Sequence, residues 1–503
     1  MSAPDIETRI HRLSTAAPKV LDLFAGCGGF SLGFRSAGCR LLGAVELDRH
    51  AARSHATNFF GGDEAHAAPH DITALDPLEF VAGLSPGEDP RAAVDVLIGG
   101  PPCQAFARVG RAKLRGGAEH PEAFRLDPRV GLYESYLHFV RELRPLALVM
   151  ENVIDILNHA GRNIPEEICT ILEGLGYVCR YTTLNAAHYG VPQMRERFFL
   201  VGLHRSLGVV PRFPSPTHAW ELPKGYEGAR HIALLTLAGT GSKRYVRVPG
   251  EGRRPAVTAE EALRDLPPFT LHKEGRLRKA PARYDTLARY REDVEPSAYG
   301  RLMRSWKGFL PRQGGVWDHL IRFLPRDYDI FERMQPGDQY PQAYDVAVAL
   351  FAERLQALRV EGTVLEPGSE EYRRLWAATV PGYARDKFPN KWRKMEPDQP
   401  ARTLMAHLGK DSYTHIHYDS SEKRTISIRE AARLQSFPDG FVFSGAMNAA
   451  FRQIGNAVPP PAAQAIAGEM GRTLLLAWSG ETFQLSSTPV WVRPIAVALR
   501  AAT

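Results

Sequence analysis

Between Lys19 and Gly202, short apolar runs alternate with longer stretches whose apolar and polar residues segregate at helical spacing. "VLDLF" at 20–24 is followed by the helical pattern "FSLGFRSAG". Then come "LLGAVEL", a helix from about His50, "VDVLIGG", a helix around "YESYLHFVREL", "LALVMENV", a helix around "IPEEICTILEGLG", and "RFFLVGL". Apolar runs separated by amphipathic helices predict strands in βαβ units. The expected fold is α/β, a doubly wound, mainly parallel sheet, with a second, smaller domain. Ligands of such sheets bind beyond the carboxyl ends of the strands. Those ends carry Gly26, Gly28, Gly29, Glu46, Cys103 and Glu151.

Beyond Leu203 this rhythm stops. To about Gln399 the chain is rich in Pro, Gly and Arg at irregular spacing; patterning returns in "RTISIREAARLQSFPDGF" and "FRQIGNAVPPPAAQAIAGEMG". Near the end of the irregular region, "YARDKFPNKWRKMEP" interleaves Arg385, Lys387, Lys391, Arg393 and Lys394 with Phe388 and Trp392. Such a stretch is either a solvated loop or a surface for nucleic-acid backbone and bases.

Composition narrows the class. With 44% hydrophobic and 24% charged residues, the 503-residue chain reads as soluble and globular, long enough for more than one domain. No apolar run is long enough to span a bilayer, and the first residues lack the apolar core of a secretory signal. The five cysteines (Cys27, Cys39, Cys103, Cys169, Cys179) are scattered and form no CxxC pair. That speaks against a disulfide framework or a zinc site and for a reducing cytoplasm; no metal is expected. The net charge of +7 permits a polyanionic partner but is weak evidence on a chain of this size.

Two segments carry candidate chemistry. In "GGPPCQAF", Cys103 follows two prolines, which have no N–H for a ladder and restrict the residue before them. Cys103 is therefore predicted on a rigid turn past a buried strand. Taken alone, the segment fits a presented thiol and a small buried cysteine equally well. In "DLFAGCGGFSLGF", glycines stand directly between a strand and a helix, where they allow close backbone approach. The dinucleotide fingerprint is broken, because Ser31 occupies the place of its third glycine. Glu46 lies 20 residues after Gly26, where a ribose-binding carboxylate is expected. A nucleoside without pyrophosphate, such as S-adenosylmethionine, fits better than a dinucleotide.

Together with "GAVELDRHAARSHATNF", "MENV", "HYGVPQMRERFFLVG", "RTISIREAARLQSFPDGF" and "QIGNAVPP", these two motifs closely resemble the DNA (cytosine-5) methyltransferases, in that family's usual order. The resemblance covers most of residues 19–203 and 399–470. It implies a catalytic S-adenosylmethionine-binding domain whose first segment is 1–203, a target-recognition domain and hinge at 204–440, and a return to the catalytic domain at 441–503. Cys103 is then the thiolate that adds to carbon 6 of a flipped-out cytosine, and Glu151 the acid at ring nitrogen 3. Arg197 resembles the arginine at the cytosine carbonyl, and Arg195 the one ordering the surroundings of Glu151. Donor-binding positions are Phe24, Ala25, Gly26, Gly28, Gly29, Glu46, Asp71, Ile72, Pro102, Asn456 and Val458. The basic segment after Cys103 resembles a lid, with Gln104, Arg108 and Arg111 on DNA; Ala107 stands where the family usually has serine. Lys391, Arg393 and Lys394 complete the expected DNA contacts.

The implied partner is double-stranded DNA, with a cognate restriction or defence nuclease as a further candidate. The expected form is a monomer on DNA, cytoplasmic and nucleoid-associated in a bacterium, without membrane contact. Two other readings follow from the same residues. One is a tRNA cytosine-5 methyltransferase, against which the long recognition segment argues. The other is a non-catalytic DNA-binding derivative, against which the retained Cys103, Glu151, Arg195 and Arg197 argue.

Overall fold

The computed structural model describes residues 3–13, 15–102, 132–158, 162–223, 242–248, 252–277, 287–311, 313–410 and 413–479. The chain divides into two compact units. The first comprises Met1–Ala256, Val442–Ser444 and Ala457–Thr503, and the second Val257–Phe441 with Gly445–Asn456.

The first unit is built on six strands: β1 (Lys19–Leu23), β2 (Arg40–Val45), β3 (Val96–Gly99), β4 (Ala147–Asn152), β5 (Tyr177–Asn185) and β6 (Glu196–His204). Their order across the sheet is β2-β1-β3-β4-β6-β5. The pairs β1·β2, β1·β3 and β3·β4 are parallel, while β6 runs antiparallel to both β4 and β5. The sheet is thus mostly parallel, as the sequence pattern predicts. Side chains alternate between its faces, and each face has its own core. Leu21, Leu23, Leu97, Leu148 and Met150 enter one. Val20, Val96, Ile98, Ala147 and Val149 enter the other, with Phe30 and Phe34 of α1 (Gly29–Ser36).

That second core is closed by the far end of the chain. A late helix, Pro460–Ser479, contributes Ala462, Ala463, Ile466 and Met470. It lies so close to the glycine loop's helix that a Cβ on Gly33 would come within 2.3 Å of the Ala463 Cβ.

Two differences from the sequence reading are physical. The strand "YVCRYTTLN" was not expected; its alternating polar and apolar residues make it weaker in pattern than the continuous apolar runs of buried parallel strands. The boundary expected at 203/204 falls instead at Ala256/Val257. Residues 242–248 dock on β5: the Tyr181 amide donates to the Arg244 carbonyl and the Val246 amide to the Tyr181 carbonyl. The Arg244 guanidinium also pairs with Glu166 and Glu173. A short sheet edge is covered this way, and the covering segment belongs to the unit it protects.

Among its described residues the second unit has little sheet. Its apolar core gathers Tyr328, Phe331, Tyr340, Phe351, Trp392 and Tyr413. Tyr340 and Phe351 come from the 21-residue helix Tyr340–Val360. Beside this core lies a charged interior. Arg433 is fully buried between Asp265 and Asp439, at 2.9 and 2.6 Å, and Arg424 is clamped by Glu422 and Glu430 at 2.6 and 2.7 Å. These arginines come from the "RTISIREAARLQSFPDGF" motif, which is thus internal scaffold. Among the described residues no helix is long and apolar enough to cross a membrane.

Candidate active site

The carboxyl ends of four neighbouring strands of the first unit lie in one row and carry Glu46, the glycine loop, the turn before Cys103 and Glu151. Strands lie about 4.8 Å apart, so the row from β2 to β4 spans roughly 15 Å.

Glu46 follows β2. Its two oxygens accept from the Gly26 amide at 2.8 Å and from the Asp48 amide at 2.7 Å. Burial raises the carboxyl's pKa and the two amides oppose it. Asp48 then caps α2 (Arg49–Phe59) through the amides of His50 and Ala51.

The glycine loop follows β1. Phe24, Gly26 and Gly28 all have positive φ, at 57°, 58° and 99°. Glycine adopts that region without cost, whereas Phe24 is held there by its surroundings. A Cβ on Gly26 would meet nothing within 4 Å, so the loop has open space on that side. Ala25 is buried, its amide bonded to the Val45 carbonyl, and Gly29 opens α1. These features suit a nucleoside: a carboxylate with lone pairs left for ribose hydroxyls beside a backbone that a ligand can approach.

Asp71 is exposed and caps the short turn Ile72–Ala74 through Thr73. Those hydrogen bonds, chiefly from the Thr73 hydroxyl, lower its pKa. The Ile72 side chain is buried in the core. Val458 is likewise a core residue, while Asn456 is exposed at the end of the helix Met447–Asn456 in the second unit.

Beyond β3, Gly100, Pro101 and Pro102 lead towards Cys103, which lies outside the described residues together with Gln104, Arg108 and Arg111. The turn is anchored from β4. The Asn152 amide nitrogen donates to the Pro101 carbonyl at 3.2 Å, and a Cβ on Gly100 would sit 3.1 Å from Glu151 Oε2. A larger residue there would press on the carboxylate, which would have to give by a few tenths of an ångström.

Glu151 is buried near the end of β4 and pairs with Arg197, Nε to Oε1 at 3.1 Å. The register explains the pair. Phe199 lies directly opposite Glu151, so Arg197, two residues earlier on β6, projects from the same face one step along. Arg195 is buried as well. Burial pushes the Glu151 carboxyl up, against the lowering pull of Arg197 and then Arg195. A carboxyl so placed keeps its proton to higher pH than an exposed one, as a hydrogen-bond donor requires.

Several residues escaped the sequence reading. Asn152 is one. Another group is Asp22, Ser31 and His55, three buried polar side chains under the glycine loop, hydrogen-bonded in a chain. Burial raises Asp22 to about 7 and lowers His55 to about 3. An aspartate inside the apolar run "VLDLF" was the available signal.

The basic–aromatic stretch divides in two. Trp392 is buried against Phe331, Tyr340 and Tyr413 and draws its neighbours inward. Lys394 is fully buried, its ammonium donating to the carbonyls of Phe331 and Met334 and to the Ser420 hydroxyl. Arg393 pairs with Glu396 at 3.0 Å and is mostly covered. The burial of Lys394 corrects its expected DNA contact, whereas the DNA contact of Arg393, partly exposed and paired with Glu396, stays an expectation. The front half stays at the surface. Lys387 is exposed, and the half-buried Lys391 rests its ammonium 3.9 Å from the Phe388 ring centre.

A mostly parallel sheet whose strand ends carry the glycine loop, Glu46 and the Glu151–Arg197 pair fits the methyltransferase-type α/β fold. A crystal structure described as a DNA modification methyltransferase encoded in an Escherichia coli prophage shares this fold, with TM-score 0.57 and 22% identity over 91% of this chain and 100% of that one. Residues 18–472 match the model of the C-5 cytosine-specific DNA methylases, and the chain belongs to that family. Among its relatives, a type II methyltransferase so described in Oceanobacillus iheyensis is 37% identical over 91% of this chain and 96% of its own length. The type II methyltransferase M.AgeI of Thalassovita gelatinovora is 31% identical over 89% of this chain and 98% of its own. The protein is a DNA (cytosine-5) methyltransferase.

Proposed function

We propose that the protein uses S-adenosylmethionine to methylate carbon 5 of a flipped-out cytosine within a specific duplex sequence, as the modifying arm of a restriction-modification or related defence system. The observation that carries the reading is the order of the strand ends: Glu46, the glycine loop, the turn leading to Cys103, and Glu151 paired with Arg197. S-adenosylmethionine supplies an electrophilic methyl group on a sulfonium. Glu46, the loop backbone and Asp71 would bind its nucleoside, with Pro102 beside the nucleophile.

The Cys103 thiolate adds to carbon 6, forming a C–S bond and moving the ring's electron pair towards carbon 5. Glu151 donates a hydrogen bond or proton at nitrogen 3, and Arg197 holds the cytosine carbonyl. After methylation, solvent takes the carbon 5 proton, the electron pair returns to the ring as the C–S bond breaks and the thiolate leaves, and nitrogen 3 gives its proton back to Glu151. Arg195 orders Glu151 and Arg197. The second unit supplies base readout, with Lys387 and Lys391 on phosphates.

Bisulfite sequencing of DNA from a host expressing the protein tests this. Protected cytosines in one fixed context are expected. Unprotected DNA with methylated tRNA from the same cells would overturn the substrate.

Two further outcomes are expected. Glu46→Ala should weaken S-adenosylmethionine binding by about 1.5–3 kcal/mol, the range for hydrogen bonds to a charged group. Its loss also frees the Gly26 and Asp48 amides, so the effect belongs at the upper end; unchanged affinity by calorimetry would move the ribose contact elsewhere. Replacing Lys387 and Lys391 together with alanine should weaken DNA binding at all sequences and reduce the log–log salt slope by about 0.9 for each phosphate no longer neutralised. An unchanged slope would return that stretch to the solvated-loop reading.

A further inference from the structure

The loop from Leu23 to Phe30 must leave β1, make three left-handed turns and enter α1. Glu46 ties its middle through the Gly26 amide. A second tie joins its two ends. Asp22 is the last but one residue of β1, and Ser31 is the third residue of α1. The Ser31 hydroxyl lies 2.6 Å from Asp22 Oδ2 and 2.9 Å from His55 Nε2. A hydroxyl has one proton, so giving it to the carboxylate requires His55 to donate from Nε2. The three side chains are 1%, 0% and 1% exposed.

His55 belongs to α2, the helix that starts shortly after Glu46. Its ring also backs the loop: a Cβ on Gly28 would come within 2.9 Å of His55 Cδ2 and 2.3 Å of Phe59 Cε2. One helix therefore carries both the wall against which the loop rests at Gly28 and the outer end of the hydrogen-bonded chain. Oδ1 of Asp22 and Nδ1 of His55 meet no hydrogen-bond partner among the described residues. A polar chain left incomplete in an apolar interior costs stability compared with well-packed apolar side chains. What it does provide is a directional link between β1, α1 and α2, the three elements that frame the loop.

We propose that Asp22, Ser31 and His55 are positioning residues for the methyl-donor site, holding the glycine loop in the strained shape that receives the nucleoside. The proposal rests on S-adenosylmethionine being the donor. None of the three needs to touch it. They set the free energy of the receptive loop, so their loss shows as weaker donor binding and not as slower chemistry.

The test uses the full chain with S-adenosylmethionine and S-adenosylhomocysteine as probes, in Ser31→Ala and His55→Phe. His55→Phe keeps an aromatic ring behind Gly28 and removes only the donor. Calorimetry should show both nucleosides binding about tenfold more weakly to Ser31→Ala, the scale of one hydrogen bond to a charged group, and roughly threefold more weakly to His55→Phe. Amide exchange over residues 24–30 should quicken in both variants without ligand. Turnover at saturating donor and DNA affinity should stay at wild-type values. Asp22→Asn keeps an acceptor for Ser31 and should bind nearly as the wild type does.

Wild-type nucleoside affinity and loop exchange in both Ser31→Ala and His55→Phe would overturn the proposal. So would an equal fall in DNA affinity and turnover, since that marks general loosening. Failure of the wild type to bind either nucleoside would instead remove the donor assignment on which it rests.

Discussion

Cys103→Ser is expected to abolish methyl transfer, by on the order of a thousandfold or more, while leaving S-adenosylmethionine affinity within about twofold. A serine hydroxyl is scarcely ionised at neutral pH and adds poorly to carbon 6, whereas a thiol of pKa about 8.5 has an accessible thiolate that nearby positive charge favours further. Donor affinity should persist because the donor's expected partners, Glu46 and the glycine loop, belong to β2 and β1, and the cysteine turn follows β3. Duplex DNA carrying 5-fluorocytosine should trap the wild type covalently, because fluorine blocks removal of the carbon 5 substituent. The Ser variant should form no adduct. Ordinary turnover by Cys103→Ser would sink the mechanism.

The second large effect concerns stability. Arg433→Met is expected to destabilise the second unit by about 3–5 kcal/mol, the cost of leaving buried charges without their partner. Asp265 would retain Arg304 and Asp439 would retain the Tyr290 hydroxyl, but both would be deprived of the buried guanidinium at the centre of the network. Replacing Asp265 and Asp439 by apolar residues in the same variant should recover much of the loss. Urea unfolding reads both, and a single variant within about 1 kcal/mol of wild type by that measure would show the network to be dispensable.

The same interior predicts acid sensitivity. Burial lowers His272, His319, His415 and His417 to about 4, below the value of about 6.5 in an unfolded chain. The unfolded state therefore binds more protons, and stability present above about pH 6.5 is lost as pH falls towards about 4. Asp439 and Glu430 are held low by Arg433 and Arg424 against burial, so their contribution is lost at still lower pH.

Much of the catalytic unit was legible along the chain because its signals are local. A strand, a glycine turn and a helix are contiguous, so "DLFAGCGGF" announces its own geometry. Glu46 and Glu151 end apolar runs, and strand ends are where such folds bind ligands. The basic–aromatic stretch was legible only in part, because spacing shows which residues alternate and not which of them a tryptophan pulls inside. Lys394 and Lys387 look alike in sequence, yet one satisfies two carbonyls and a hydroxyl in the interior and the other faces solvent.

The α/β class, the order of the motifs, the family and the residue types available for chemistry can all be read along the chain. Tertiary structure alone decided where β5 and the segment covering it belong, which arginines are scaffold, and that Asp22, Ser31 and His55 meet under the glycine loop. The reason is the range of the interactions. Turn conformation and amphipathic periodicity are set by neighbours in the chain, whereas the environment of a charge depends on elements far apart in sequence. Arg433 and Asp265, separated by 168 residues, are one buried ion pair only after the chain has folded.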